Sequence, residues 1–178
     1  MAEFIQKHKL FSFYSALMIA VVLIAIFAPW LAPGDAFSSN LSQALQAPSS
    51  QHWFGTDKLG RDVLSRIIYG TQLSLFMGVS IVVIMVSIGT IIGAVAGYFG
   101  GKIEMVLMRL ADIMLSFPGV VLAIAIAGIL GGSIVNTIIA LSVVGWAKYA
   151  RLVRSMTLKV RGEEYVTAAV MMGASTTT

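Results

Sequence analysis

The chain has 178 residues, 58% of them hydrophobic and 11% charged, with a mean hydropathy of +0.90 and a net charge of +4. Its apolar residues come in long blocks rather than with a period of two or 3.6, which excludes an ordinary soluble domain and predicts an all-α integral membrane protein. With no cysteine, disulfides, thiolate nucleophiles and cysteine metal sites are excluded as well.

Residues 1–9 form a short basic tail, and the first predicted transmembrane helix covers residues 10–31, uncharged throughout. Lys7, His8 and Lys9 resemble the basic start of a signal peptide. The apolar block is longer than a signal core, however, and ends on Pro-Trp-Leu-Ala-Pro-Gly, so an uncleaved span is expected.

Residues 32–72 follow as a polar segment. Its first half, rich in Pro, Ser and Asn, reads as loop. In the second half Asp57 is suited to cap a helix, Val63, Leu64, Ile67 and Ile68 share a face, and Gly70 stands where a C-terminal cap would. This predicts an outer amphipathic helix, either lying on the membrane surface or serving as a docking element.

Residues 73–150 hold three further predicted spans, Leu73–Phe99, Ile113–Leu130 and Ile134–Ala147. In the first of them Gly89, Gly93 and Gly97 recur every four residues, a stripe without side chains that lets another helix approach closely. Before the next, Arg109 and Asp112 are spaced to pair on one helix. Pro118 and Gly119 predict a bend within it.

Nine Lys and Arg residues fall on the side of the N-terminus and three on the other, so the positive-inside rule predicts a cytoplasmic N-terminus. The basic excess is a topology signal and nucleic acid is not an expected partner. His8 and His52 fall on opposite sides of the membrane, and no metallopeptidase, serine-hydrolase or phosphate-loop motif occurs. The chain is therefore expected to be no enzyme, with no catalytic residue, no metal ligand and no bound cofactor.

Residues 151–178 end the chain. Glu163 and Glu164 stand at the start of a predicted helix, where acidic groups favour the positive end of its dipole. Tyr165, Ala168, Ala169 and Met172 share a face, and Gly173 supplies the stop. The small residues invite close approach, which suits a short helix docking into a groove of a soluble partner.

This tail resembles the cytoplasmic EAA loop of ABC importer permeases, whose Glu-Ala-Ala triplet is followed by Gly after three further residues; here the triplet reads Thr167-Ala168-Ala169, ahead of Gly173. The stretch His52–Leu75 is similar to the GTDxxGRD signature of the second permease subunit of dipeptide, oligopeptide and nickel importers, on Gly55, Thr56, Asp57, Gly60, Arg61 and Asp62. ADIMLSFP and WAKYARLVRS resemble further segments of that branch, in the same order. The resemblance implies a six-span permease of which this sequence covers the first four spans and a truncated coupling loop, carrying nickel or di-/oligopeptides. It implies a heterodimer with a homologous permease, two ATPase subunits that hold ATP and Mg, an extracytoplasmic solute-binding protein, and a bacterial inner membrane as the setting. Glu164, Tyr165, Thr167, Ala168, Ala169, Met172 and Gly173 would then contact the ATPases, with Thr167 in place of the usual Glu. The alternative it implies is a membrane scaffold that docks ATPases without transporting.

Overall fold

The computed structural model describes residues 9–173, and every regular element among them is helical. Residues up to Gly78 form one compact unit and those from Val79 onward a second.

In the first unit, α1 (Lys9–Ile26) is followed by a single helical turn, α2 (Ala28–Leu31). The interruption falls where Pro29 lacks an N–H to continue the ladder. The side chains of α1 are nearly all exposed, as lipid-facing apolar residues would be. An irregular segment with one 3₁₀ turn (Leu41–Gln43) then leads to α3 (Val63–Phe99), whose first turns belong to this unit.

The stretch predicted as an outer amphipathic helix is helical from Val63, and it runs on as the start of α3 instead of ending at Gly70. Glycine in a helix costs only about 1 kcal/mol, and the Thr71 hydroxyl donates to the Ile67 carbonyl one turn earlier. Nothing here breaks the ladder. With 37 residues α3 is roughly 55 Å long, against about 30 Å of hydrocarbon.

In the second unit α3 ends at Gly100 and Gly101, both at positive φ, and α4 (Gly101–Ser116) begins. α5 (Gly119–Leu130) follows at 90° to α4. The predicted third span is therefore two helices meeting at Phe117–Pro118. α6 (Ile134–Arg161) opens on Ser133, whose hydroxyl accepts from the Asn136 N–H at 3.1 Å. The Asn136 amide donates back to the Leu130 and Gly131 carbonyls at 2.6 and 3.0 Å, closing the turn between α5 and α6. α7 (Glu164–Met171) comes after only Gly162 and Glu163.

Among the described residues two helices, α1 and α3, are long and apolar enough to cross a membrane, or three spans when α4 and α5 are taken as one. The segment expected as the fourth span, Ile134–Ala147, is the first half of α6. That helix continues without a break into the cationic run Lys148, Arg151, Arg154, Lys159 and Arg161.

The second unit is organised around α6. Ala111, Trp146, Ala147 and Ala150 form its buried core, with Ile92, Met108, Met114 and Leu115 packed against them. Successive glycines of α3 meet successively later residues of α6, so those two helices run parallel. α4 and α5 together thus return the chain to the level at which α3 began its contact.

Candidate functional site

The GTDKLGRD stretch is a compact loop built by backbone approach. Gly55 and Gly60 both take φ +72°. A Cβ on Gly55 would stand 2.5 Å from the Gln46 carbonyl oxygen, and one on Gly60 would overlap the Asn40 carbonyl. Only glycine fits either place. Between them the Thr56 hydroxyl donates to the Gln43 carbonyl and accepts from the Gln46 N–H at 2.8 Å. The Asn40 N–H donates to Leu59 O and the Leu45 N–H to Asp57 O, at 2.9 and 3.1 Å. Residues Asn40–Gln46, read from sequence as plain loop, are thus a strap laid across the signature.

Asp57 does not cap the helix. Its carboxylate closes the turn, accepting from the Leu59 and Arg61 N–H groups at 2.8 and 3.0 Å and from the Arg61 guanidinium at 2.8–2.9 Å, with Arg66 alongside. The Arg61 guanidinium and these N–H donors hold its carboxyl far below the usual carboxylate range, against a smaller opposing effect of burial. The capping residue is Asp62, whose carboxylate accepts from the Ser65 N–H and hydroxyl, both at 2.8 Å. His52 Nδ1 lies 3.0 Å from its other oxygen. Burial alone would raise the Asp62 carboxyl; the bonds from Ser65, with His52 beside them, outweigh it and bring it below the usual range. Ser65 is fully buried, and its Oγ also accepts from the Gly34 N–H at 3.0 Å, which ties the segment after α2 to the start of α3. All six signature residues are therefore engaged within the loop. His52, Ser65, Asn40 and Gln43 were not singled out from sequence, because each also has a partner 10 to 31 residues away: Asp62, Gly34, Leu59 and Thr56.

At the glycine stripe, α3 touches the backbone of α6. A Cβ on Gly89 would lie 2.5 Å from Tyr149 Cβ and 2.8 Å from Trp146 O. One on Gly93 would press on Ala150 O and stand 2.9 Å from Val153 Cβ; one on Gly97 would be 2.7 Å from Thr157 Cβ. α4 adds two ion pairs to α6, Glu104 with Arg154 and Asp112 with Arg151. Asp112 thus pairs across helices and not with Arg109, since its helix neighbour across the groove presents a guanidinium directly. Arg109 makes no ion pair among the described residues and, with these four, lines a cleft of about 490 Å³.

α7 has acidic Glu163 as its N-cap residue and Glu164 in its first turn. The Met172 N–H donates to Ala168 O and the Gly173 N–H to Val170 O, with Gly173 at φ +94° just past the helix end. Tyr165, Ala168 and Met172 are exposed and Ala169 half-buried. The Thr167 hydroxyl donates to the Glu163 carbonyl at 3.3 Å, so this residue bonds within its own helix.

A family model described as the binding-protein-dependent transport system inner membrane component matches residues 89–178, and one for the N-terminal transmembrane domain of oligopeptide transport permease C matches residues 5–48. The dipeptide transport system permease protein of Alkalihalophilus pseudofirmus is 44% identical over 95% of the chain and 56% of its own length. The oligopeptide transport system permease protein of Bacillus subtilis is 37% identical over 96% and 56%. The nickel transport system permease protein of Escherichia coli is 38% identical over 86% and 56%. The chain spans little more than half the length of these curated relatives. With half of its residues inside the matched region, the chain belongs to the family of binding-protein-dependent transport system inner membrane components.

Proposed function

We propose that this chain is a permease subunit of a binding-protein-dependent ABC importer, forming part of the pathway for a small peptide and taking its drive from ATPase subunits through α7. The observation that carries this reading is α7 itself. It is a capped eight-residue helix whose Tyr165, Ala168 and Met172 are exposed, joined to the central helix of its unit by two residues. A short helix with small residues on its open face seats closely in a groove, and a two-residue link leaves little slack between that seat and α6. The partners on this reading are a homologous permease, two ATPases holding ATP and Mg, and an extracytoplasmic binding protein meeting the side of the GTDKLGRD loop. The N-terminus is then cytoplasmic. Peptide cargo follows the dipeptide and oligopeptide permeases among its relatives; the nickel permease, at 38% identity, gives the second reading.

The test is uptake into proteoliposomes holding the chain with its partner subunits, using labelled dipeptide and labelled nickel in parallel. Ala169→Trp is expected to cut uptake at least tenfold while ATP hydrolysis continues. Uptake equal to that of the unaltered protein would overturn the coupling role of α7, and uptake of nickel alone would overturn the cargo.

A further inference from the structure

Arg154 stands where three helices of the second unit meet. Its backbone lies on the glycine stripe of α3, since a Cβ on Gly93 would be 3.0 Å from Arg154 N and one on Gly97 3.0 Å from Arg154 O. Its side chain crosses to α4, where Nε and Nη2 reach the same oxygen of Glu104. Along α6 it lies seven positions, or ~10 Å, before Arg161, after which the two-residue link to α7 begins. The Arg161 guanidinium comes back to the α3–α4 turn. Its Nη1 is 3.5 Å from where a Cβ on Gly100 would be, and Glu104 Oε2 is 3.8 Å from the same point.

That turn has little stiffness of its own. Gly100 and Gly101 are both at positive φ, Gly100 offers no side-chain cap, and a Cβ on Gly101 would meet nothing within 4 Å. Two consecutive glycines leave α4 free to pivot against α3. The residues of α4 that reach the core, Met108, Ala111, Met114 and Leu115, all lie beyond its first turn. Within that turn, among the described residues, Glu104 alone has an ion pair to another helix. We infer that Arg154 is a positioning residue: through Glu104 it fastens the start of α4 to α6, so that the end of α3, the diglycine turn and the root of α7 move as one block. A displacement of α7 is then delivered to α3 and α4 together. The part played in transport rests on the coupling role proposed for α7; the tie between the helices does not. The Asp112–Arg151 pair is no substitute, because both its members are about half exposed and it sits among core contacts that already hold that stretch of α4. Glu104 and Arg154 are more enclosed and so less screened, and a guanidinium engaged through two nitrogens fixes direction as well as distance.

The experiment begins with the full chain in nanodiscs. Because it has no cysteine, spin labels go onto introduced pairs at exposed positions: Met105→Cys with Met156→Cys for α4 against α6, and Ile91→Cys with Met156→Cys for α3 against α6. Pulsed electron spin resonance then gives the spread of each distance. In Glu104→Gln, and equally in Arg154→Gln, the α4–α6 spread is expected to widen at least twofold while the α3–α6 spread stays as it was, held by the stripe. Asp112→Asn should widen the α4–α6 spread less than half as much. An α4–α6 spread that Glu104→Gln leaves unchanged would overturn the tie. So would equal widening of both pairs, which would make Arg154 a residue of the general fold. The same Glu104→Gln change, in the chain reconstituted with its partner subunits, should lower labelled dipeptide taken up per ATP hydrolysed at least threefold with hydrolysis retained. An unchanged ratio would overturn the transmission. If the unaltered complex takes up no dipeptide although the label pattern holds, the importer reading fails and the tie stands.

Discussion

Gly89 lies so close to Tyr149 that a methyl group added to it would stand 2.5 Å from the Tyr149 Cβ. The same holds one and two turns on, at Gly93 and Gly97, where the obstacles are Ala150, Val153 and Thr157. Most of those obstacles are backbone atoms or Cβ atoms, which cannot swing aside.

The stripe gives the first prediction. An alanine gains up to about 1 kcal/mol over glycine in a helix, while overpacking against a fixed neighbour costs about 1–3 kcal/mol. The second effect wins at Gly93, so Gly93→Ala should lower stability by about 1 kcal/mol and Gly93→Leu by more. Gly128 in α5 has nothing within 4 Å of an added methyl, and Gly128→Ala should be neutral or slightly stabilising. Unfolding midpoints in mixed micelles compare the three; equal losses at both glycines would show that the stripe is not a packing surface.

A second prediction concerns the GTDKLGRD loop. Gly60→Ala meets both a left-handed φ of +72° and the Asn40 carbonyl. Together these should cost roughly 2–4 kcal/mol, lift the strap at Asn40–Gln46, and speed proteolytic cleavage there. Lys58→Ala, at an exposed position of the same loop, should cut at the original rate. Resistance of Gly60→Ala to protease would refute the strap.

Acid should act on the same loop with a definite sign. Asp57 and Asp62 are both held below the usual carboxylate range. Each therefore adds stability that is present above the unfolded value of about 3.9 and is lost as pH falls through its lower folded value. From pH 7 to 5 these carboxylates should leave the loop unchanged, and loosening should begin below about pH 4. Trp53 fluorescence, with Trp30 and Trp146 replaced by Phe, follows the transition. Asp62→Asn should weaken the loop at neutral pH and flatten the acid limb; a transition already complete above pH 5 would show that these carboxylates do not control it.

The two ion pairs between α4 and α6 should differ in strength. Asp112 and Arg151 are both about half exposed, at 47% and 51%, whereas Glu104 and Arg154 are at 21% and 35%. Double-mutant cycles should give about 0.2–1 kcal/mol for the first pair and a larger value for the second. The reverse order would mean that the Asp112 pair is enclosed in the working protein.

Much of this architecture is legible in sequence because its signals are periodic or local. Apolar length marks α1 and α3, the four-residue repeat marks the stripe, and Glu163, Glu164 and Gly173 mark the ends of α7. What stays hidden is long-range partner choice. Sequence points to Asp57 as the cap, whereas in the fold its carboxylate closes a turn with Leu59 and Arg61, and Asp62 starts the helix through Ser65. Asp112 has a cation three residues away in sequence, yet its partner Arg151 is 39 residues distant. Gly70 looks like a stop, but a glycine ends a helix only when the chain must turn there.

The stripe also sets a schedule for biogenesis. Sixty positions of chain separate Gly89 from Tyr149. At about 5–20 residues per second of synthesis, α3 waits roughly 3–12 s beside the translocation machinery before the surface it fits exists. During that interval its bare backbone groove faces lipid or an insertase. A newly made chain is thus exposed to wrong helix partners for seconds, and whatever chaperones its insertion must hold a glycine face open that long.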